Sequence, residues 1–494
     1  MIEEVRPLQA LIKYDREENE TVKPETEEFI NELKSGLSPG VVSAVPDNYL
    51  SEPRSRWRGV SSILVSPQTV KEVSAIVSSA NTKNIPIIPY GGGTGLVGGQ
   101  IQDKGPAGVL LSLEKMNNIR SLNSDENIIT VEAGVTLSNL REAAEKEKKI
   151  FPLSLASEGT AQIGGNLATN AGGVNVLRYG STRNLCLGLE VVFADGSIWN
   201  GLSRLHKDNT GYDLRNLIIG SEGTLGIITA ATMKLFSKPL QHTVALIALN
   251  SPKNALILLS EAKDYFGETI SAFELISKVG FDFLKETKLK SKFPFRKTPK
   301  WMVLLDIGHP GRFSAEKNTN DFFEDILNSG LAVDGVLAES VSQQNDLWAL
   351  RENIPEANRR IGSVSSHDIS LPLSEISSFI EEAWLEISKI GKFRINCFGH
   401  LGDGNLHFNI FPNKGERRED YNHVRPTIKT AIHDLVHLHG GSVSAEHGIG
   451  RLKINDLVKY SDPIKLKLNK SIKTVMDPNG ILNPGVIFGS NLSE

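Results

Sequence analysis

The sequence predicts an α+β protein in which a glycine-rich αβ unit precedes a longer mixed region. Three observations lead there. The segment "SPQTVKEVSAIVSSANTKN" reads as an amphipathic helix opening near Pro67, and it runs directly into the strand "IPIIPY". Short strands follow in "GVLLSL", "IITVEAG", "LGLEVVFADGSIW" and "LGIITAATMKLF", ending near Pro239. Beyond that point, strands such as "WMVLLDI" mix with helices such as "SEISSFIEEAWLEISKI" without the strict alternation of a parallel sheet.

Taken in order, residues 1–53 form a charged, partly helical lead-in. Residues 54–238 form the first domain, 239–445 the second, and 446–494 a closing segment. A chain of 494 residues accommodates two or three cores. Lys and Arg number 54 against 58 Asp and Glu, with no block of like charge. That balance argues against nucleic acid and favours a small-molecule substrate. The two cysteines, Cys186 and Cys397, lie far apart, which fits a reducing compartment, so the cytoplasm is the expected location. No apolar run approaches a membrane span, and the acidic opening is unlike a signal or transit peptide; peripheral membrane contact stays open.

Glycine is concentrated in two tracts. "PYGGGTGLVGG" contains Gly93-x-Gly95-x-x-Gly98 after a strand, with Glu114 ending the next one, the formal pattern of a dinucleotide-binding crossover. However, the intervening "GQIQDKGPAG" is short, polar and broken by Pro106, so no crossover helix fits. A tight turn is one alternative. The favoured one is a nest of backbone N–H groups around a diphosphate. The second tract, "EGTAQIGGNLATNAGG", is again small and polar, too thin to build a core. Two such tracts suit a long cofactor lying along the backbone, and a flavin fits best.

The stretch "GHLGDGNLHFN" places His400 and His407 on either side of an Asp-Gly pair. A two-residue type I′ turn at Asp403 and Gly404 would set the two imidazoles directly opposite each other, close enough to share one divalent metal ion, with Asn409 on the same face. A plain polar sheet face is the alternative. "HDLVH" (His433, His437) also has metal-binding spacing on a helix, but Ile428, Ile432, Leu435 and Val436 supply that helix's apolar side, so both histidines are expected to flank it in solvent. Cys397 has the opposite strand parity to His400 and is expected in the core.

Together, "PYGGGTGLVGG", "QIGGNLATNAGG", "LRYGSTRNLCLGLEVVFADG", "KDNTGYDLRNLIIGSEGTLGIIT", "GHLGDGNLHFN", "SAEHGIG" and "DPNGILNPG" closely resemble the flavin-dependent D-2-hydroxyacid dehydrogenases of the vanillyl-alcohol oxidase superfamily. The likeness runs from about 50 to 490. It is nearest the bacterial D-2-hydroxyglutarate and D-lactate dehydrogenase branch and extends to the FAD subunit of glycolate oxidase. The resemblance implies an FAD-binding domain of two α+β subdomains with an α+β cap for the substrate. It implies FAD contacts at Gly91, Gly92, Gly93, Thr94, Gly95, Leu96, Gly159, Thr160, Gly164, Gly165, Asn166, Ala171, Gly172, Gly173, Glu222, Ile228 and Asn483. It assigns His400, His407 and Glu446 to a divalent metal, with zinc the first choice, and proton abstraction to His447.

Those residue types suit the chemistry. A metal bound to a substrate's hydroxyl and carboxylate oxygens lowers the hydroxyl pKa, and a largely neutral histidine can take the proton as hydride leaves Cα. Gly448 and Gly450 predict an irregular turn at Glu446-His447. Arg351 in "LWALRENIPEAN" resembles the family's carboxylate clamp, with a solvated helix arginine as the alternative, and Asn409 resembles a substrate contact.

The implied activity is oxidation of a D-2-hydroxyacid to the 2-oxoacid, with D-2-hydroxyglutarate first and D-lactate, D-malate or glycolate as alternatives. A nicotinamide enzyme and a non-catalytic metal-stabilised binding protein are the rival classes. The branch carries a lysine where this chain has Ser366, so selectivity for a second carboxylate is expected to be weak, with D-lactate or D-malate within about tenfold. The expected partners are an electron acceptor such as electron-transfer flavoprotein, quinone or cytochrome, and a second copy of the chain in a homodimer.

Overall fold

The computed structural model describes residues 24–105, 107–289, 292–310 and 315–489. Residues 1–23 of the expected lead-in and Pro106 lie outside them. Among the described residues the lead-in contains one α-helix, Pro24–Gly36, and a 3₁₀ turn, Asp47–Leu50.

The helix expected near Pro67 begins at Val70 and runs to Thr82. Thr69 accepts the N–H of Glu72, whose side chain reaches back to the Thr69 N–H; this capping box fixes the start three residues past the proline. Val73, Ile76, Val77 and Ala80 are buried against a sheet in which Ile63–Val65 and Ile87–Tyr90 both run parallel to Val109–Ser112. Among the described residues of 91–108, which join two of these strands, there is no helix, as the sequence predicted.

A second, antiparallel sheet has the order Ile119–Asn123, Ile128–Glu132, Ile227–Lys234, Cys186–Val192, Ile198–Gly201. The third is antiparallel and seven-stranded: Asp334–Leu337, Gln241–Leu249, Trp301–His309, Ile270–Ser277, Arg394–His400, Asn405–Phe411, Ser365–Ser370. Strand alternation gives this sheet two different faces. Phe273, Leu275, Leu305, Ile369, Cys397 and Phe408 point to one side and pack with Phe379, Ile380, Ile428 and Ile432 from the helices Ile376–Ile390 and Arg425–Leu438. Cys397 is therefore core, and burial raises its thiol pKa. On the other side Ile276, Phe398, Met302 and Leu304 meet Leu347, Leu350 and Ile354. Farther along that second face the residues turn polar: Glu274, His400, His407, Asn409, Ser366 and Asp368.

The chain then returns to the first sheet. Asn483 N–H donates to Ile87 O at 2.8 Å, and Lys473, ion-paired with Asp477, donates to Leu482 O at 2.9 Å and to Thr224 O at 2.8 Å. Residues 446–489 thus bridge the glycine-rich unit and the seven-stranded sheet.

Two sequence expectations need correction. The turn at 401–404 is not a two-residue type I′ turn: Leu401–Asp403 form a 3₁₀ turn, and of Asp403 and Gly404 only Gly404 is left-handed, at φ 84°. His407 is accordingly opposite Phe398, while His400 sits beyond the paired region and aligns with Glu274 of the neighbouring strand. His433 is not in solvent either. It is 3% exposed, with Nδ1 3.0 Å from Asp456, because the later helix Ile454–Tyr460 covers it; His437 is exposed as expected.

Candidate active site

His400 and His407 converge despite the altered register. Their ring centroids are 5.5 Å apart with planes at 81°, and His400 Nε2 lies 3.6 Å from Glu446 Oε1. One ligand atom from each of His400, His407 and Glu446 falls within 4.8 Å of the others.

Two carboxylates that the sequence did not single out organise this group. Glu274, fully buried, accepts from His400 Nδ1 at 2.7 Å and from Arg351 Nε at 2.8 Å. Fixing the Nδ1 proton leaves Nε2 as the free donor atom, the arrangement in which an outer carboxylate orients a ligating histidine. Burial works against charge at both partners, yet the pair wins: Glu274 is held below the usual carboxylate range and His400 is raised above the usual imidazole value. Asp368 Oδ2 accepts the backbone N–H groups of Glu446 at 3.0 Å and His447 at 3.1 Å, and stands 3.3 Å from His447 Nδ1. Its other oxygen lies 3.8 Å from His407 Nδ1. Each was a lone acid in an otherwise apolar or uncharged strand, "ISAFELIS" and "SSHDIS", which was the available signal.

Glu446 and His447 occupy the irregular turn that was expected, with Gly448 and Gly450 at φ 77° and 51°. Burial raises Glu446 to about 7 and lowers His447, while His407 falls to about 3 from the same cause. The site therefore favours neutral imidazoles at His407 and His447.

Arg351 is buried rather than solvated, with its guanidinium 4.8 Å from the Phe398 ring centroid. Because Nε is committed to Glu274, only its Nη groups are left for a ligand. Asn409 stands between Asn396 and Ser366 on the polar face. Ser366 is exposed, its Oγ 2.7 Å from that of Ser363.

The two glycine tracts meet. A Cβ on Gly92 would lie 1.9 Å from Thr160 O, and one on Gly91 would lie 3.5 Å from Gly165 Cα. A Cβ on Gly172 would stand 3.0 Å from Glu446 Oε1, which places the second tract beside the histidine cluster. Gln162 Oε1, Asn166 Nδ2 and Asn483 Oδ1 are buried without partners, so three polar atoms from the tracts and the closing segment await a polar ligand. These orphans and the thin glycine walls fit FAD. Asn483 Nδ2 donates to Gly99 O at 2.9 Å and Glu222 O at 2.8 Å. The Glu222 carboxylate accepts from Ile449 N at 2.7 Å and Gly450 N at 2.8 Å, tying the FAD-side loop to the His447 turn. Ile228, expected at the cofactor, contributes to the core under that sheet.

Comparison with known proteins identifies the family. The FAD binding domain family matches residues 61–201, and the C-terminal domain of FAD linked oxidases matches 238–487. The chain is 37% identical to the mitochondrial D-2-hydroxyglutarate dehydrogenase of Danio rerio over 92% of its own length and 84% of the relative's. It is 34% identical to the D-2-hydroxyglutarate dehydrogenase of Stutzerimonas stutzeri, covering 94% and 99% of the two chains. The putative mitochondrial D-lactate dehydrogenase of Schizosaccharomyces pombe is 34% identical, with 92% and 86% covered. Among solved structures, p-cresol methylhydroxylase shares the fold with a TM-score of 0.73 at 18% identity, covering 94% of this chain and 96% of that one. The two family matches, one on each side of residue 238, and the relatives spanning most of the chain show that this protein belongs to the FAD-linked oxidases.

Proposed function

We infer that the protein oxidises a D-2-hydroxyacid to the 2-oxoacid, with D-2-hydroxyglutarate as its first substrate. The observation that carries this is a two-histidine, one-carboxylate donor set whose Glu446 is also grouped with His447 and Asp368 and has its carboxylate against the glycine tract at Gly172.

When bound, FAD supplies the hydride acceptor and a divalent cation supplies Lewis acidity toward the substrate's hydroxyl and carboxylate oxygens. The donor chemistry fits a cation such as zinc: His400 Nε2 and a His407 ring nitrogen, backed by Glu274 and Asp368, with the Glu446 carboxylate completing the set. His447 holds its Nδ1 edge toward Asp368, leaving Nε2 to accept the substrate hydroxyl proton. Its depressed pKa keeps that nitrogen unprotonated at neutral pH. The Nη groups of Arg351 and the Asn409 amide face the same polar surface and orient the acid.

D-lactate is a second substrate class, favoured by Ser366, a neutral side chain where a second cation would select a dicarboxylate. The test is the flavin colour of purified protein. Bleaching by D-2-hydroxyglutarate without added NAD is expected, with loss of turnover on chelation and recovery with zinc, manganese or cobalt. A protein that neither carries nor takes up FAD, or unchanged turnover after verified metal removal, overturns the corresponding half.

A further inference from the structure

Outside the histidine cluster, the helix Pro463–Met476 has two apolar sides. Its inner side carries Ile472 and Met476, which pack against the core of the second sheet, and the buried Lys473, whose bonds to Thr224 O and Leu482 O fasten the helix in place. Ile464, Leu468 and Val475 lie on the opposite side, where helical spacing keeps them in one line with Ser471. They are 68%, 57% and 79% exposed, so the line is open to whatever lies outside the fold. The helix is held without it.

The charge around this line is of one sign. From 463 to 476 there are four lysines and no acidic residue, although the whole chain carries a net charge of -4. Lys473 is ion-paired with the buried Asp477. Lys465 and Lys467 are exposed and Lys470 is half-buried, and none of their ammonium groups has a hydrogen bond or ion pair with any described residue. Asp462, the acid just before the helix, serves as its N-cap and accepts the Lys465 N–H at 2.9 Å. An aliphatic line flanked by free cations fits a surface that is anionic outside and apolar beneath, where lysine stems lie over lipid and their ammonium groups reach phosphate. A second copy of the chain fits it poorly, because two such faces meeting would set lysine against lysine. No helix among the described residues is long and apolar enough to cross a bilayer, and this one needs only to lie along it.

We propose that the helix Pro463–Met476 docks on an anionic lipid surface, with Ile464, Leu468 and Val475 entering the bilayer interface and Lys465, Lys467 and Lys470 facing its phosphates. Such docking goes beyond the oxidation inferred above and does not depend on which acid is the substrate.

The test is cosedimentation of the full chain, as purified holoprotein, with vesicles of phosphatidylcholine alone and of phosphatidylcholine and phosphatidylglycerol in equal parts. Wild type, Leu468→Ser and the paired variant Lys465→Gln with Lys467→Gln are compared, with Tm and bound flavin measured in each. Wild type should bind the mixed vesicles, several-fold more weakly at high salt, and leave the neutral ones unbound. A lysine near an anionic surface contributes about fivefold, so the paired variant should lose about tenfold or more, and Leu468→Ser about tenfold, with Tm and flavin content kept. Absence of wild-type binding to the mixed vesicles overturns the lipid assignment and leaves the line to an acidic protein partner. Equal binding to both kinds of vesicle, or binding that neither variant weakens, overturns it as well. A wild-type dimer that Leu468→Ser converts to monomers, seen by light scattering, gives the face to a second copy instead.

Discussion

Asp368 holds His447 twice, by its backbone N–H at 3.1 Å and by its ring, whose Nδ1 is 3.3 Å from the same carboxylate oxygen. One side chain therefore sets both the path of the turn and the orientation of the imidazole. Asp368→Asn should retain FAD while slowing flavin reduction by about 10- to 100-fold, because a displaced base loses part of its usual 10² to 10⁴ contribution. The acid limb of the pH profile should also move down. Burial already depresses His447, and Asp368 is the charge that favours its protonated form, so removing that charge lowers the pKa further. Stopped-flow reduction across pH checks both; wild-type rates with an unmoved limb would refute the assignment.

Glu274 joins His400 to Arg351 in a pair with almost no solvent. Glu274→Gln leaves both buried donors, His400 Nδ1 and Arg351 Nε, without a charged acceptor and one of them facing an amide NH2, and breaking such a pair costs about 3–5 kcal/mol. Loss of the outer carboxylate should in addition weaken metal binding about 10- to 100-fold. Thermal unfolding together with metal content per chain tests this. Wild-type values for both would show that Glu274 is dispensable.

The strands and the two glycine tracts were legible because their signals are local: hydrophobic alternation, turn residues, and small residues where nothing bulky fits. The His400, His407 and Glu446 group was legible as a resemblance. Its geometry was not, since the hairpin register depends on the 3₁₀ turn at Leu401–Asp403 and on Glu274 capturing His400 from an adjacent strand. Asp368 acts on residues 78 and 79 positions away, through a pairing that no sequence period encodes. His433 was misjudged because the helix that buries it lies about two dozen residues later.

Gly92 tests the cofactor wall. Its missing Cβ would lie 1.9 Å from Thr160 O and 2.6 Å from Thr160 C, both backbone atoms that cannot step aside as a flexible side chain would. Gly92→Ala should push the two tracts apart and yield protein with little or no bound flavin. A variant that purifies with a full complement of FAD and an unchanged Tm would show that the tracts can separate without consequence.

Glu222 lies between the FAD-side loop and the His447 turn, and burial raises its pKa to about 7 against the partial relief of the Ile449 and Gly450 N–H groups. The folded protein therefore keeps this proton up to about pH 7, whereas the unfolded chain releases it near pH 4.3. The raised pKa contributes stability that is fully present below about pH 4.3 and is lost as pH rises toward 7. Across that window the change amounts to at most about 4 kcal/mol. Glu222→Gln cannot titrate, so it removes this slope, although it also gives up one acceptor for the 449–450 N–H pair and starts from lower stability in acid. The expected result is a Tm difference between wild type and Glu222→Gln that favours wild type at pH 5.5 and shrinks by pH 8. A constant difference across that range would mean that Glu222 is already ionised in the folded protein, held by its two backbone donors.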